Sequence, residues 1–363
     1  MEIGIYDPYL DTLSGGEKYM LTAAACLLVD NKVTIFWDDQ TILDQARKKL
    51  HIDLSGVTIK KNIFAAKFSA LKRLNETRKY DRLIILSDGS LPLTLARKTI
   101  LHFQFPVEWV KSDRLEAKIK LMKISKVVCN SIFTKTFIDK KFHIRSTVLY
   151  PPCVTLEDIR KNSDRSLLAE KENIILTVGR FSPLPDGSSI KKLEIMIKAF
   201  KEMIDAGLIK WKFIAAISFL EENENLAHNL QDSIKNYPIK ILNNINYNDL
   251  NKLYRSAKIY WHAAGFGEDL EKHPERAEHF GITTVEAMTY KVVPVAYARG
   301  GQPEIVDDNI NGFLWETEAE LIAKTKKIMI DDKLRRQMAN LGLKKIEQFS
   351  LEKFCRDLQE IIK

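Results

Sequence analysis

Short runs of β-branched and other apolar residues alternate with longer segments of helical periodicity along the whole chain. The runs are nearly continuously apolar and do not alternate with polar residues, which is typical of strands that are buried on both faces. Alternation of such strands with helices predicts parallel, helix-flanked sheets. The predicted strands are Glu2–Tyr6, Val33–Trp37, Leu83–Leu86, Val127–Asn130, Ile174–Val178, Lys212–Ile217, Ile239–Leu242, Ile259–Trp261 and Val292–Ala296.

The length of 363 residues indicates two domains, because a single core stops growing at roughly 250–300 residues. A charged and polar stretch over 154–173 follows the turn-forming segment Tyr150–Pro152 and precedes a new strand. We therefore predict an N-terminal Rossmann-like domain over 1–160, a second one over 161–340, and a C-terminal helix in 341–363 that packs back on the first. Ligands of open parallel sheets bind beyond the carboxyl ends of the strands, so we expect the site in a cleft between the domains.

Composition and charge narrow the class of protein. Hydrophobic residues make up 45% and charged residues 29% of the chain, as in a globular protein, and the formal charge is +8, which favours anionic partners. The stretch Lys111–Arg145 contains ten lysines and arginines but only three acidic residues. Apolar Leu115, Ile119 and Met122 at helical spacing make this stretch a candidate amphipathic helix on an anionic membrane surface. A solvated lysine face on an ordinary surface helix is the alternative.

The lack of a recognisable signal peptide or membrane-spanning segment in this sequence favours a cytoplasmic protein. The segment 1–7 has neither a basic leader nor a cleavable apolar core, and the longest apolar run, 19–29, is shorter than the roughly 20 residues of a spanning helix. We expect a cytoplasmic chain that reaches, at most, the inner face of the membrane as a peripheral protein. The cysteines have no paired or metal-type spacing, so reduced and mostly buried thiols are expected. They are Cys26, Cys129, Cys153 and Cys355.

A glycine-containing loop follows the first predicted strand and opens a helix. Gly15 and Gly16 let the backbone approach a phosphate or a sugar, and the helix N-terminus adds positive potential. The loop lacks the three spaced glycines of a dinucleotide site and the ending of a P-loop, which disfavours dehydrogenases and P-loop proteins. A plain glycine turn with Glu17 in the first helical turn is the alternative.

An arginine and two lysines follow the first strand of the second predicted domain. Arg180 comes directly after this strand, and Lys191 and Lys192 come shortly after it. A guanidinium and an ammonium group that converge suit a diphosphate, whose negative charge grows as it leaves. A surface arginine with ordinary helix lysines is the alternative. The spacing leaves open which of the two lysines binds phosphate.

Two glutamates flank a glycine turn at the start of another predicted helix. Gly281 would bring this helix N-terminus beside a ligand, where the amides of Phe280, Gly281 and Ile282 contact sugar hydroxyls or phosphate. Glu286, early in the helix, suits the two ribose hydroxyls. A capping box of Thr283 with Glu286 is its structural alternative. A further glycine turn, Ala298–Glu304, follows the next strand.

From Val178 to Trp315 the chain resembles the catalytic domain of family 4 glycosyltransferases, and the N-terminal half resembles these enzymes more loosely. The residues that carry the resemblance are Gly179-Arg180, the helix Lys191–Phe200, the glutamates around His279-Phe280-Gly281, Val293-Pro294-Val295, Gly300-Gly301, Asn311-Gly312-Phe313, Gly15-Gly16-Glu17, His102-Phe103, Asn130–Thr134 and Tyr150–Pro152. An insert-like stretch, Gly265–Ala277, departs from the family pattern.

The resemblance implies a GT-B fold, an α/β architecture of two Rossmann-like domains that face a central cleft. It also implies retention of configuration and no required metal or other cofactor. Arg180 and Lys191 would bind the donor diphosphate and Glu286 the ribose. Glu278 would contact the transferred sugar as a catalytic residue, and His102 occupies the place of a family histidine that faces the reacting centre.

The expected substrate is a GDP- or UDP-sugar. The wording of His279–Ile282 is similar to that of α-mannosyltransferases of asparagine-linked glycan assembly, which points to GDP-mannose. We therefore expect a retaining enzyme that transfers a hexose to a glycan or lipid-linked acceptor, with no nucleic acid partner. The departing diphosphate would help to deprotonate the acceptor, so catalysis is mainly electrostatic and positional. The alternatives are a GT-B nucleotide-sugar epimerase and a non-catalytic nucleotide-sugar-binding module.

Overall fold

A computed structural model describes residues 1–110, 115–164, 168, 171–184, 189–208, 210–219 and 230–363. The chain forms two compact units. Unit 1 comprises Met1–Pro152 together with Leu351–Lys363, and unit 2 comprises Cys153–Ser350. These limits differ from the expected 1–160, 161–340 and 341–363. The final helix is part of unit 1.

Unit 1 is built on a seven-stranded parallel sheet with the order β3-β2-β1-β4-β5-β6-β7. Its strands are β1 Glu2–Tyr6, β2 Lys32–Phe36, β3 Thr58–Lys60, β4 Arg82–Leu86, β5 Lys98–Phe103, β6 Lys126–Cys129 and β7 Thr147–Val148. Its helices are α1 Gly15–Leu28, α2 Ile42–Leu50, α3 Ala70–Thr77, α4 Leu115–Met122 and α5 Ile132–Phe142, and the C-terminal helix Leu351–Ile362. Strand order reverses at β1, as in Rossmann folds.

Unit 2 repeats this topology in a six-stranded parallel sheet, β10-β9-β8-β11-β12-β13. Its strands are β8 Ile174–Arg180, β9 Lys212–Ser218, β10 Ile239–Asn243, β11 Ile259–His262, β12 Val293–Tyr297 and β13 Phe313–Trp315. Its helices are α6 Leu156–Lys161, α7 Leu193–Asp205, α8 Tyr247–Ser256, α9 Ile282–Thr289, α10 Gln302–Ile305, α11 Glu318–Ile330 and α12 Asp332–Lys345, and we number the C-terminal helix of unit 1 α13.

Each sheet is covered by apolar side chains on both faces, which explains the continuous apolar runs in the sequence. In unit 1, α1 and α13 pack on one face through a cluster that includes Leu21, Phe354 and Leu358. In unit 2, the cluster around Trp261 and Phe213 fills the face under α7 and α11. The two sheets confirm the predicted α/β class with helix-flanked parallel strands. Within the described ranges, no helix is both long and apolar enough to cross a bilayer.

The expectation of four reduced cysteines is wrong for two of them. Cys26 of α1 and Cys355 of α13 form a disulfide with a Cα–Cα distance of 5.4 Å, inside the normal range for such a bond. The pairing spans 329 residues of sequence, so cysteine spacing gave no sign of it. It depends on the packing of α13 against α1. Cys129 and Cys153 are not disulfide-bonded, and burial raises the pKa of the Cys129 thiol to about 12.

Candidate active site

The chemically distinctive loops of unit 2 lie at one edge of its sheet. β8, β11 and β12 are neighbours in the order β8-β11-β12 and run parallel. Their carboxyl ends carry Arg180, His262 and the turn after Tyr297, respectively. Because this is the ligand-binding edge of a parallel sheet, the loops form one candidate site.

Lys191, Glu278 and His262 meet at this edge. The Lys191 stem crosses Gly179, whose added Cβ would lie 3.1 Å from Lys191 Cε. The Lys191 Nζ atom forms an ion pair with Glu278 Oε2, and His262 Nε2 lies 3.1 Å from the same oxygen. The side chain of His262 is 2% exposed and that of Glu278 is 17% exposed. The carboxylate is therefore held between a cation and a buried imidazole.

The charge state of Glu278 is set by this surrounding. Burial opposes its ionisation, but the charge of Lys191 and the hydrogen bond with His262 outweigh burial and hold its pKa well below the usual range. Burial lowers the pKa of His262 despite the nearby carboxylate. We infer that His262 is neutral at pH 7 and donates its Nε2 proton to Glu278. Glu278 is then an ionised acceptor for ligand hydroxyls.

Arg180 is exposed at the end of β8. Its guanidinium makes no hydrogen bond or ion pair with any described residue. A planar group with several donors therefore remains available for a ligand beside Gly179 and the Lys191 stem.

The two candidate phosphate lysines have different partners. Lys191 contacts Glu278, whereas Lys192 Nζ lies 2.5 Å from Glu268 Oε1 with a side chain only 7% exposed. The geometry thus favours Lys191 as the ligand-binding lysine. The interval between Arg180 and these lysines includes 185–188, which lie outside the described residues.

The second glycine turn supports the Glu278 segment directly. A Cβ at Gly301 would lie 2.5 Å from Phe280 Cα, and the Gly301 amide donates to Glu278 O at 2.7 Å. Gly300 has φ 68° and a Cβ there would collide with the Glu278 carbonyl. Only glycine permits this approach of two backbones. The loops after β11 and β12 therefore behave as one packed unit.

Gly281 is the N-cap of α9 and has φ 118°, a conformation suited to glycine. The helix starts at Ile282, so the alternative of a Thr283–Glu286 capping box is wrong. Glu286 lies one turn into α9 and accepts a hydrogen bond of 3.1 Å from the Tyr254 hydroxyl. Thr283 Oγ1 lies 2.7 Å from the Tyr260 hydroxyl. Two buried tyrosines thus orient the side chains of the first turns of α9.

In unit 1, the loop before α1 combines a cap with a close backbone approach. Ser14 caps α1 in a capping box with Glu17, whose Oε2 accepts from the Ser14 amide at 2.8 Å. Gly16 O accepts from Gln104 Nε2 at 3.0 Å, and a Cβ at Gly16 would collide with the Gln104 side chain. Gly15 is the first residue of the helix. The structural alternative for Glu17 is thus present, and the glycines still leave amides at the helix start.

The position of His102 does not support its expected catalytic role. The side chain is 2% exposed at the end of β5, and its ring stacks on Tyr19 at 4.4 Å between centroids. Its Nδ1 lies 3.2 Å from Val128 O. Burial lowers the pKa of His102 to about 3, so the ring is neutral at physiological pH. The other ring nitrogen, Nε2, is buried without a hydrogen-bond partner among the described residues. The catalytic role of His102 therefore stays a prediction.

The segment that contains these site residues matches the sequence model of a known protein family. The chain belongs to the family described as "Glycosyl transferases group 1", whose sequence model matches residues 158–345. This result confirms the predicted family, and a glycosyltransferase is the class of enzyme that the family defines. The matched range includes Arg180, Lys191, Glu278 and Glu286.

Particular relatives support the same class. The chain is 23% identical to the GDP-Man:Man(3)GlcNAc(2)-PP-Dol alpha-1,2-mannosyltransferase of Kluyveromyces lactis, over 82% of this chain and 62% of that protein. It spans about three fifths of the length of the first curated relatives. Among solved structures, a glycosyltransferase of Rickettsia africae matches with a TM-score of 0.74 at 20% identity, covering 100% of this chain and 97% of that one.

Anabaena HepE in complex with UDP matches with a TM-score of 0.71 at 20% identity, over 100% of this chain and 99% of that one. These likenesses confirm the predicted GT-B fold class, with two Rossmann-like units.

Several residues of the site were not predicted. His262 ends a strand that the sequence predicted to stop at Trp261, and a histidine at the carboxyl end of a buried strand is a signal that could have identified it. Tyr254 and Tyr260 were not predicted either. They come from α8 and β11, and only the tertiary packing brings their hydroxyls to α9.

Proposed function

We propose that this protein transfers a hexosyl group from a nucleotide-sugar donor to a glycan or lipid-linked acceptor with retention of configuration. The carrying observation is the ionised Glu278 carboxylate, held by Lys191 and His262 beside the amides that open α9. An acceptor-only carboxylate next to a cation suits a hexose whose anomeric carbon bears a diphosphate. Glu278 binds the sugar, and Lys191 binds the diphosphate.

Each remaining group has a matching part of the donor. Arg180 is exposed at the end of β8 and adds a second cation for the diphosphate. Glu286, oriented by Tyr254, accepts from the ribose hydroxyls. The amides of Phe280, Gly281 and Ile282 lie at the positive end of α9, where they stabilise the donor oxygens. No metal ion is required in this arrangement, because the two cations carry the charge of the leaving group.

Catalysis in this proposal depends on charge placed in advance. As the glycosidic bond breaks, negative charge grows on the diphosphate, and Lys191 and Arg180 stabilise it without having to reorganise. The loss of one such donor typically costs about 3–4 kcal/mol of barrier. A diphosphate oxygen on the same face of the sugar accepts the acceptor proton.

Mannose from GDP-mannose is the first donor to test, because a relative is named as a GDP-mannose-dependent enzyme. UDP is the second candidate nucleotide, because HepE was solved with UDP. The same mannosyltransferase name, with its PP-Dol acceptor, supports a lipid-linked acceptor.

An anionic membrane surface is the proposed docking partner. The helix α4 exposes three apolar side chains at i, i+4 and i+7, which share one face. They are Leu115, Ile119 and Met122, exposed by 74%, 49% and 84%. Exposed Lys118 and Lys123 lie in or beside this helix. Of the expected basic stretch Lys111–Arg145, residues 111–114 lie outside the described part of the chain.

The proposal is tested by nucleotide release from GDP-mannose, UDP-glucose and ADP-glucose, with and without a dolichyl or undecaprenyl diphosphate-linked glycan. We expect acceptor-dependent release with one nucleotide and loss of it in Glu278→Gln. Glu271→Gln is the matched control, because it removes an exposed carboxylate of the same region.

The possible outcomes separate the alternatives. Acceptor-independent conversion of the donor to another sugar would identify an epimerase. Binding of a nucleotide sugar without turnover under any acceptor would identify a binding module. Equal activity in Glu278→Gln and Glu271→Gln would remove Glu278 from the site.

A further inference from the structure

A second group of paired charges involves the lysine next to Lys191. Lys192 Nζ lies 2.5 Å from Glu268 Oε1, and Arg276 Nη1 lies 2.7 Å from Glu268 Oε2. The side chains of Lys192 and Glu268 are 7% and 9% exposed. Both oxygens of one nearly buried carboxylate are therefore occupied. We call Lys192, Glu268 and Arg276 the ion triad.

The backbone of Lys192 is unusual for its residue type. It precedes α7 with φ 53° and ψ 43°, in the left-handed region that favours glycine. A residue with a side chain persists there when its surroundings determine its position. The buried contact with Glu268 supplies that determinant. The side chain is retained at a position where glycine would be less strained.

The other two members of the ion triad lie in the insert-like stretch Gly265–Ala277. Gly265 and Gly267 turn the chain with φ 86° and 78°. A Cβ at Gly265 would lie 3.3 Å from Ala277 Cα, so the two ends of the stretch are in contact. The stretch leaves the sheet just after His262 and ends directly before Glu278. It is a closed loop with a site residue on each side.

The carboxylate at the centre of the loop is ionised. Burial opposes its ionisation, but the hydrogen bonds from Lys192 and Arg276 outweigh burial and lower the pKa of Glu268. The loop also bonds to the segment before α7, because the Gly265 amide lies 3.4 Å from Ile190 O. Two adjacent lysines thus each hold one glutamate, one inside the loop and one at its end.

We propose that the ion triad is a positioning device that fixes Glu278 for the transferred sugar. This inference rests on the proposed function. Lys192 holds the loop through Glu268, and Arg276 connects the same carboxylate to the chain two residues before Glu278. The ion triad does not bind the donor. Loss of the ion triad shifts Glu278, while Arg180 and Lys191, the side chains that bind the diphosphate, remain in place.

The test is calorimetric binding of a nucleoside diphosphate and of its nucleotide sugar, with UDP and UDP-glucose or GDP and GDP-mannose, whichever pair the wild-type protein binds. The readout is the dissociation constant of the nucleoside diphosphate divided by that of its nucleotide sugar. This ratio reports the contacts to the sugar. We expect Lys192→Met to lower this ratio about tenfold, the order of effect of displacing a binding group by less than 1 Å. The affinity for the diphosphate alone should stay within about twofold.

Three further proteins complete the design. Lys198→Met is the matched control, because this lysine of α7 is 66% exposed. Arg276→Gln removes the member of the ion triad whose side chain is 29% exposed. This variant replaces Lys192→Met in the test if Lys192→Met does not fold. In a Glu278→Gln background, Lys192→Met should have no further effect on the ratio, because coupled residues are not additive.

The outcomes distinguish failure of the proposed function from failure of the positioning role alone. If the wild-type protein binds neither nucleotide sugar, the proposed function fails and the positioning role fails with it. If it binds a nucleotide sugar and Lys192→Met or Arg276→Gln leaves the ratio unchanged, only the positioning role is overturned. Equal losses of affinity for diphosphate and nucleotide sugar, or additive effects with Glu278→Gln, also overturn it.

Discussion

Removal of the Lys191 charge should destabilise the protein more than removal of its partner Glu278. In Lys191→Met, the only contact that the Glu278 carboxylate, 17% exposed, keeps among the described residues is the one with neutral His262. Truncating one partner of a buried ion pair costs about 3–5 kcal/mol. Because the Lys191 side chain is 25% exposed and water reaches it, we expect a smaller loss of about 2 kcal/mol. This loss corresponds to roughly 4–8 °C in Tm for a unit of this size.

Glu278→Gln should cost less than about 1 kcal/mol, because the more exposed Lys191 can turn to water. The double variant Lys191→Met/Glu278→Gln should recover most of the loss, since no uncompensated charge remains. The full chain is measured by thermal and denaturant unfolding, and the cycle of two single variants and the double variant isolates the pair.

The effect of Lys191→Met should also depend on pH. In the wild-type protein the Glu278 pKa lies below its ordinary value of 4.5, so its contribution to stability is complete above about pH 4.5 and is lost only as the pH falls through the lowered pKa. Without Lys191, burial raises the pKa above that value, and the protonated form favours folding. The deficit against wild type should therefore grow as the pH rises above about 4.5, the ordinary pKa of the carboxyl group. A deficit independent of pH, or a larger loss in Glu278→Gln, would refute the reasoning.

Three other outcomes follow from the structure. Glu286→Gln should weaken nucleoside diphosphate binding by roughly tenfold at unchanged Tm, because one hydrogen bond to a charged group is lost, and equal affinity by calorimetry would end the ribose role. Cys26→Ser should lower Tm, since closure of the loop between Cys26 and Cys355, with a sequence separation of 329, contributes about 6 kcal/mol in the chain-entropy account; dithiothreitol should lower the wild-type Tm and leave the variant unchanged. The protein should sediment with phosphatidylglycerol vesicles at low salt and be released at high salt, and retention of binding after charge reversal at Lys118 and Lys123 would place docking elsewhere.

Most strands could be predicted because burial on both faces of a sheet leaves a continuous apolar run in the sequence. The strand β5 was missed, since Lys98, Thr99 and His102 interrupt its apolar residues. Two of these polar residues are nevertheless buried: Thr99 bonds to Thr94 at 2.6 Å, and His102 contacts a backbone carbonyl. The strands β3, β7 and β13 are two or three residues long, too short to carry a periodic signal.

Part of the candidate site could be predicted because one short segment of sequence contains both the candidate ligand-binding side chains and the glycine turn between them. Glu278 and Glu286 belong to this segment, around Gly281. The ion triad could not be predicted, because Lys192 and Glu268 are separated by 76 residues, and the sequence does not state which lysine of an adjacent pair turns inward. For His102, the motif match in the loosely matching half gave no sign that the ring is buried.

The most direct test of the central claim is a crystal structure of the protein with the nucleotide sugar that the release assay selects. The proposed function predicts that Lys191 Nζ and the Arg180 guanidinium lie within hydrogen-bond distance of the diphosphate. It also predicts that Glu278 contacts the hexose hydroxyls and Glu286 the ribose. A donor bound at this edge of the unit 2 sheet, with its diphosphate away from both cations, would contradict the account, as would a donor bound anywhere else on the chain.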